Sequence, residues 1–363
     1  MSRVAFITTM KPPNHPTPSG DRTFARLLLA ALSHSGHDVD ALTALKTWRK
    51  TPEGLEDIEA EAETYLAQIS DRWRAEEAPD AILTYHNYHK GPDLVGPRLA
   101  EAFGLPYAIV EPSRSPRRAT GPWAVHFAHA DHALRRANAL AAVTRSDLPA
   151  LTDFAADTVA PFPPFVDTAP FQDAAVRTAD DDCHFATAAM LRPGRKADSI
   201  KVLAEAWPAV AAACPTARLT VAGDGDASGE LEPLFPEGTF VGLLNQPELA
   251  RLYRSANVFV WPAIEEPFGF AFLEAQAAGL PVIGGDTRGV PDVVSDASAI
   301  LTPPTDTAQW SEAMIDLAKN PERRRAMSAA ALSFAAKRDL AAGATSVDAL
   351  LARAAQHYRD NAP

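Results

Sequence analysis

The stretch VFVWPAIEEPFGFAFLEAQAAGLPVIGGDTRGVPDVV, residues 258–294, admits few folds. Its apolar run 258–261 reads as a buried strand, and Pro262 ends it because proline has no amide to give a sheet. A loop with Glu265 and Glu266 follows, then Pro267, Phe268 and Gly269. Residues 270–278 are strong helix formers with no breaker, and Gly279 stands where helices stop in the left-handed conformation. Residues 280–283 begin another strand. The helix start carries unpaired amides and the positive end of the macrodipole, a natural seat for phosphate. Glu266 stands just before this end and Glu274 more than a turn inside the helix. On spacing alone the pair reads equally as two hydroxyl-binding carboxylates around an anion, or as a cap and a solvated helix acid.

The rest of the chain repeats this rhythm. Residues 3–9, RVAFITT, form a nearly continuous apolar strand of the kind found in parallel sheets. A long proline-rich loop leads to Ser19-Gly20, a helix over 23–35 and a strand over 39–42. No Gly-x-Gly-x-x-Gly follows the first strand, which argues against a dinucleotide site. Residues 53–77 are a charged amphipathic helix. Further strands are expected over 81–84, 106–110 and 140–143. Tyr85, His86, His89 and Lys90 then stand at a strand's carboxyl end, where open parallel sheets bind ligands. Glu111 closes the next strand, and Arg114, Arg117 and Arg118 follow it. These arginines read either as a solvated loop or as a grip on a phosphate, carboxylate or lipid headgroup. His126, His129 and His132 lie on one helix but spread over about 120° of its surface, too wide for a tight ligand row. One of them, His126 first, is expected to face the ligand crevice.

The run VAPFPPFVDTAPF, residues 159–171, holds four prolines and reads as a link. It divides the chain into a first domain over 1–170, a second over 171–343, and a last helix over 344–363 that packs back on the first. In the second domain, strands are expected over 184–189, 217–222 and 239–241. The basic loop LRPGRKAD, residues 191–198, carries Arg192, Arg195 and Lys196. GDGDASG, residues 223–229, has Ser228 where a third fingerprint glycine would stand.

Composition narrows the function. With 363 residues and 47% hydrophobic content, the chain is long enough for two cores. A net charge of −12 argues against general nucleic-acid binding. Cys183 and Cys214 match no metal or disulfide framework and suit a reducing cytosol. No signal peptide is visible and no run approaches the ~18 apolar residues of a membrane span, so a cytoplasmic protein is expected, with peripheral membrane contact open to it. Basic side chains at a helix start suit a diphosphate, and flanking carboxylates suit ribose and hexose hydroxyls. A plain nucleoside triphosphate would want a Gly-Lys-Ser/Thr loop, which is absent.

These residues resemble the family 4 retaining glycosyltransferases of the GT-B fold. The family's Glu, seven residues, Glu stands here as Glu266-PFGFAFL-Glu274, followed by AQAAGLPVIGGDTRGVPDVV. FVGLLNQPELARLYRSANVFVWPA is similar to the run before it, and FPPFVDTAPF resembles the family's linker, with Phe165 in place of glycine. The resemblance implies an α/β protein of GT-B architecture, two Rossmann-like parallel-sheet domains facing a cleft. It implies a hexose moved from a nucleotide-diphosphate sugar to a sugar, lipid-linked or small-molecule hydroxyl, with no cofactor and no metal. Glu274 would bind ribose, and Glu266 would contact the donor sugar. The amides of Phe268, Gly269 and Phe270 would hold hydroxyls and phosphate. Lys196 would hold phosphate, and Gly242 to Leu244 would pass under the base. The family's phosphate arginine aligns with Met190, so Arg192 or Arg195 would supply that charge. Glu111 stands where many members have histidine and is a catalytic or acceptor-side candidate, with Gly20, His86, Arg114 and His126 beside it. Two rivals share the architecture: a nucleotide-sugar epimerase, and a non-catalytic sugar-nucleotide binding protein.

Overall fold

A computed structural model describes residues 2–17, 19–172, 182–236 and 238–361. In chain order its main elements are β1 (Arg3–Thr8), α1 (Gly20–His34), β2 (Asp38–Leu42), α2 (Leu55–Ala75), β3 (Ala81–Asn87), α3 (Gly96–Phe103), β4 (Tyr107–Pro112), α4 (Ala124–Arg136), β5 (Ala139–Ala142), α5 (Leu148–Ala155) and β6 (Val159–Pro161). There follow α6 (Ala169–Gln172), β7 (His184–Ala188), α7 (Arg195–Ala213), β8 (Arg218–Ala222), α8 (Ser228–Leu231), α9 (Gln246–Ser255), β9 (Val258–Trp261), α10 (Phe270–Ala277), β10 (Val282–Gly285), β11 (Ala299–Thr302), α11 (Thr307–Lys319), α12 (Pro321–Ala335) and α13 (Leu340–Asn361). The chain divides into two compact units, Met1–Pro164 with Leu340–Pro363, and Phe165–Asp339.

The first unit is built on a parallel sheet of order β2-β1-β3-β4-β5-β6. Its central strands are largely apolar, as burial on both faces demands: Val4, Ala5, Phe6, Ile82, Leu83, Ala108, Ile109 and Val110 are fully buried, whereas edge strand β2, DVDAL, is more exposed. Helix α1 shows how local chemistry starts an element. Ser19 caps it by accepting from the Arg22 amide at 3.2 Å, and Phe24, Leu28, Ala31 and Leu32 face the core. The cap places the helix start at Gly20 rather than 23. Helix α13 belongs to this unit: Asp348 bonds His37 Nε2 at 2.9 Å, and Arg353 donates to the Asp157 carbonyl. The chain reverses its direction of travel across the sheet at β1 and β3, and the carboxyl ends of those strands are the switch point where such sheets bind ligands.

The second unit carries a parallel sheet of order β11-β10-β9-β7-β8, with its switch point at β7 and β9. Residues 258–294 lie here as β9, loop, α10 and β10, with Val282 to Gly284 paired to Phe259 to Trp261. Phe259 and Phe272 meet edge to face at 5.5 Å and tie helix to sheet.

Three local expectations are corrected. Residues 159–171 are not a plain link. Val159–Pro161 is an edge strand against Leu140 to Ala142, where proline's missing amide costs nothing, and Phe165 and Phe171 are buried. Helix α7 starts at Arg195, so Arg195 and Lys196 stand on a helical turn rather than in a loop. Residues 239–241 make only a single bridge, Val221 to Phe240.

Candidate functional site

In the second unit the loop between β9 and α10 is held in an unusual backbone path. Ala263 and Glu265 both have positive φ, 55° and 52°, and Gly269 has φ 82°. Such conformations cost on the order of 1–3 kcal/mol for residues with a side chain and persist only where surroundings impose them. Here the surroundings are specific. Fully buried Ser199 on α7 accepts from the Ile264 amide at 3.0 Å, and the Glu266 amide bonds back to Ala263 at 2.9 Å. Gly285 lies so close under the loop that a Cβ there would stand 1.8 Å from the Pro262 carbonyl oxygen. At Gly269 a Cβ would stand 3.2 Å from Glu266 Cγ, so glycine lets that carboxylate lie against the helix start. No side chain caps α10. Phe268 and Phe270, packed edge to face at 4.9 Å, wall the site.

The charges are matched. Lys196 pairs with Glu266 and stands 5.3 Å from the centre of the Trp261 ring. Arg195 pairs with Glu265, and Arg288 reaches the same carboxylate at 3.2 Å. Arg195 is therefore engaged by the loop, a different role from the phosphate grip expected of it. Arg288, with φ 43°, is a member of the site that sequence reasoning missed, since nothing in TRGV announces a left-handed arginine. Glu274 is half-buried on α10, and desolvation pushes its carboxyl up to about 7. Buried Tyr253 has its phenol raised by burial and by the charge of Glu274.

The remaining rim comes from the turns after β7 and β8. Gly242, φ 71°, accepts from the Gly223 amide at 2.8 Å, and its neighbours Val241 and Leu243 are exposed while Leu244 is half-buried. A Cβ at Gly223 or Gly225 would stand 1.8 and 2.3 Å from the carbonyl oxygens of Ala189 and Leu191. The glycines that failed as a dinucleotide fingerprint thus serve close approach of two loops. Arg192 is exposed, its amide turned to the Met190 carbonyl. The structure gathers Lys196, Glu266, Phe268, Gly269, Phe270 and Glu274 around the carboxyl end of β9, with Gly242 on the turn bound to the end of β8.

In the first unit, His86 lies near the end of β3 and Glu111 near the end of β4, both in the left-handed region at φ 72° and 56°. Pairing of the two strands brings them together. His86 Nδ1 lies 3.1 Å from the Glu111 carbonyl oxygen and 3.8 Å from its carboxylate. Burial, opposed by His86 and reinforced by Asp21, pushes the Glu111 carboxyl up to about 7. Its Oε2 is buried without a hydrogen-bond partner. Gly20 is exposed at the start of α1, with open space where a side chain would stand.

Arg114 departs from expectation. It donates to Asp131 at 2.7 Å and stacks on the ring of Phe154 at 4.3 Å, which makes it a packing cation. The histidine row also separates: His126 is buried against Trp123, His129 bonds Glu59 at 2.7 Å, and His132 points toward Glu101. Among the described residues no group of three or more His, Cys, Asp or Glu is arranged to hold a metal ion, and no helix is long and apolar enough to cross a membrane.

Residues 184–320 match the family model for glycosyl transferases group 1. Among curated proteins, the chain is 34% identical over 139 residues to a GDP-mannose-dependent monoacylated alpha-(1-6)-phosphatidylinositol monomannoside mannosyltransferase of Corynebacterium glutamicum, covering 35% of this chain and 36% of that protein. It is 32% identical over 139 residues to the sulfoquinovosyl transferase SQD2 of Arabidopsis thaliana, covering 37% and 27%. It is 33% identical over 151 residues to a D-inositol 3-phosphate glycosyltransferase of Segniliparus rotundus, covering 38% and 33%. The matched stretch thus spans roughly a third of each relative's own length. Among solved structures, a sucrose-phosphate synthase from Thermosynechococcus elongatus superposes with a TM-score of 0.72 at 20% identity over 99% of both chains. The glycosyltransferase WaaG, involved in lipopolysaccharide biosynthesis, does so with a TM-score of 0.65 at 16% identity, over 96% of this chain and 99% of its own. Over residues 184–320 the chain is thus similar to the glycosyl transferases group 1 family, and its two parallel-sheet units have the GT-B fold.

Proposed function

We propose that the chain is a retaining glycosyltransferase of family 4 that moves a hexose from a nucleotide-diphosphate sugar to a hydroxyl acceptor. The observation that carries this reading is the uncapped start of α10, set beside the Lys196–Glu266 pair and followed by the half-buried Glu274. A diphosphate at that helix start meets the positive end of the helix dipole and competes with Glu266 for Lys196. Glu266, released in part from the lysine, then accepts from donor-sugar hydroxyls. Glu274, costly to keep charged without a partner, gains two hydroxyl donors when ribose binds. The base lies over Gly242 and Leu244, with exposed Leu243 for apolar contact. Names among the relatives and neighbours agree with a nucleotide-sugar donor: one relative is GDP-mannose-dependent, and the Anabaena protein HepE, of the same fold, has been solved with UDP-glucose.

As the bond to the diphosphate breaks, negative charge grows on the leaving oxygens. Lys196 and the helix start stabilise it without a divalent metal, with Arg192 adding positive charge from the same stretch. The diphosphate itself takes the proton of the incoming hydroxyl on the same face of the sugar. Glu111, held by His86, is the acceptor-side carboxyl that orients that hydroxyl. The expected setting is the cytoplasm, where nucleotide sugars are made.

Calorimetric titration of the wild type and Glu274→Ala with UDP-glucose and GDP-mannose tests the donor site. Loss of two carboxylate hydrogen bonds predicts at least about tenfold weaker binding of whichever donor the wild type takes. Equal affinity in the variant sinks the assignment.

A further inference from the structure

The turn after β3 and the loop after β4 form a cluster that the donor chemistry leaves unused. Tyr88 and Gly91 exchange backbone hydrogen bonds at 3.3 and 3.0 Å, so His89 and Lys90 occupy the tip of a tight turn. The tip is braced from a second side: Trp48 Nε1 donates to the Tyr88 hydroxyl at 2.8 Å, and the Arg49 amide to the Lys90 carbonyl at 2.8 Å. Trp123, almost fully buried, stands at the centre. Its ring lies 5.3 Å from the His89 ring, 5.0 Å from the His126 ring and 5.8 Å from Lys90 Nζ. Arg117 and Arg118 follow on the short helical turn Pro116–Arg118.

Two properties set this cluster apart. First, His89 Nε2, His126 Nε2 and Arg118 Nε are buried without hydrogen-bond partners. Buried polar atoms are normally satisfied, and two orphaned imidazoles against one tryptophan, with an orphaned guanidinium nitrogen on Arg118, whose charge acts on His89, mark a place for an external partner. Second, its positive charge is uncompensated. Among the described residues Lys90, Arg117 and Arg118 take part in no ion pair, in a protein of net charge −12 where Arg114, Arg135 and Arg98 all find carboxylates. Burial first, then Arg118, Lys90, His126 and Arg117, hold the His89 imidazole down to about 4, so it is neutral at physiological pH. The acid facing His126, Glu59, is already bonded to His129.

We propose that Lys90, Arg117, Arg118 and the His89 imidazole form a binding site for a phosphate group carried by the acceptor. Two guanidinium forks, one ammonium and an imidazole offer more donors than one carboxylate absorbs, and they suit the several oxygens of a phosphate ester. The bound group is a phosphomonoester on a small polyol or the phosphodiester of a lipid headgroup, which share this chemistry. The sense of an acceptor rests on the transferase reading. The binding itself does not.

The test uses the full chain and the double variant Arg117→Gln/Arg118→Gln. Both positions lie on the short helical turn Pro116–Arg118, Arg117 exposed and Arg118 half-buried, and melting curves check that the variant folds. Calorimetry at low salt compares glycerol 3-phosphate with glycerol, because exposed charge pairs are screened as salt rises. Co-sedimentation compares vesicles of phosphatidylcholine alone with vesicles that also contain phosphatidylinositol. The expected result is binding of the phosphate ester at least about tenfold tighter than glycerol, or sedimentation only with phosphatidylinositol, lost in the double variant while nucleotide affinity is unchanged. The first arm identifies a soluble acceptor and the second a lipid. Absence of both, or ester binding that survives in the double variant, overturns the proposal. Ester binding lost in the variant, in a protein that takes no nucleotide sugar, leaves the phosphate site standing and removes the transferase reading.

Discussion

Both units place an acid in left-handed backbone near the carboxyl end of a parallel strand at or beside a switch point, yet the two acids are treated in opposite ways. In the second unit Glu265 is answered by Arg195 and Arg288, and its neighbour Glu266 by Lys196. In the first, Glu111 is half-buried with one buried oxygen unpartnered, near a single histidine, while among the described residues Lys90, Arg117 and Arg118 take part in no ion pair. A charge-matched site is assembled before its ligand arrives, and its strain is held by the pairs themselves. An unmatched site stores its perturbation in proton affinity instead. That contrast suits a donor site reading a common diphosphate and an acceptor site reading something particular.

The contrast breaks most visibly at Lys196. Lys196→Ala is expected to lower turnover 10²–10³-fold, about 3–4 kcal/mol of transition-state stabilisation, with a smaller change in donor KM. Steady-state kinetics with saturating acceptor checks this, and a pure KM effect would move Lys196 from charge stabilisation to plain binding.

Next in size is the pH dependence at Glu111. Its folded value, about 7, lies above the ordinary 4.5, so the folded chain holds this proton more tightly than the unfolded one. The stability contribution is full below about 4.5 and declines as pH rises to about 7. Glu111→Gln removes the decline. Melting curves should show the variant on the order of 2 kcal/mol more stable than wild type at pH 8, roughly 5 °C, and equal to it at pH 4. A constant offset at both pH values would mean that the carboxyl is not desolvated.

The smallest effect belongs to Glu265, whose carboxylate is half exposed between two arginines. Glu265→Gln should cost less than about 1 kcal/mol by denaturant titration, as surface pairs do. A larger loss would show that these pairs impose the left-handed loop rather than decorate it.

Much of this was legible in the residues. The apolar runs announced parallel strands, because burial on both faces forbids alternation. Glu266 and Glu274 stood out because strand, loop and uncapped helix are contiguous in the chain. Arg114 misled: its neighbours in sequence are arginines, whereas its neighbour in space is Asp131, 17 residues on. His86 and Glu111 were both candidates, but their contact spans 25 residues and exists only through the register of β3 on β4. Arg288, 23 residues from Glu265, was invisible for the same reason.

The sequence by itself determined the order of elements and the helix start with its two acids, since these depend on hydrophobic period, breakers and caps acting over a few residues. Tertiary structure decided which charges are spent and which are left over. Ion pairing, desolvation and left-handed strain depend on groups far apart along the chain, and only the packing of strand on strand and loop on loop sets their distances.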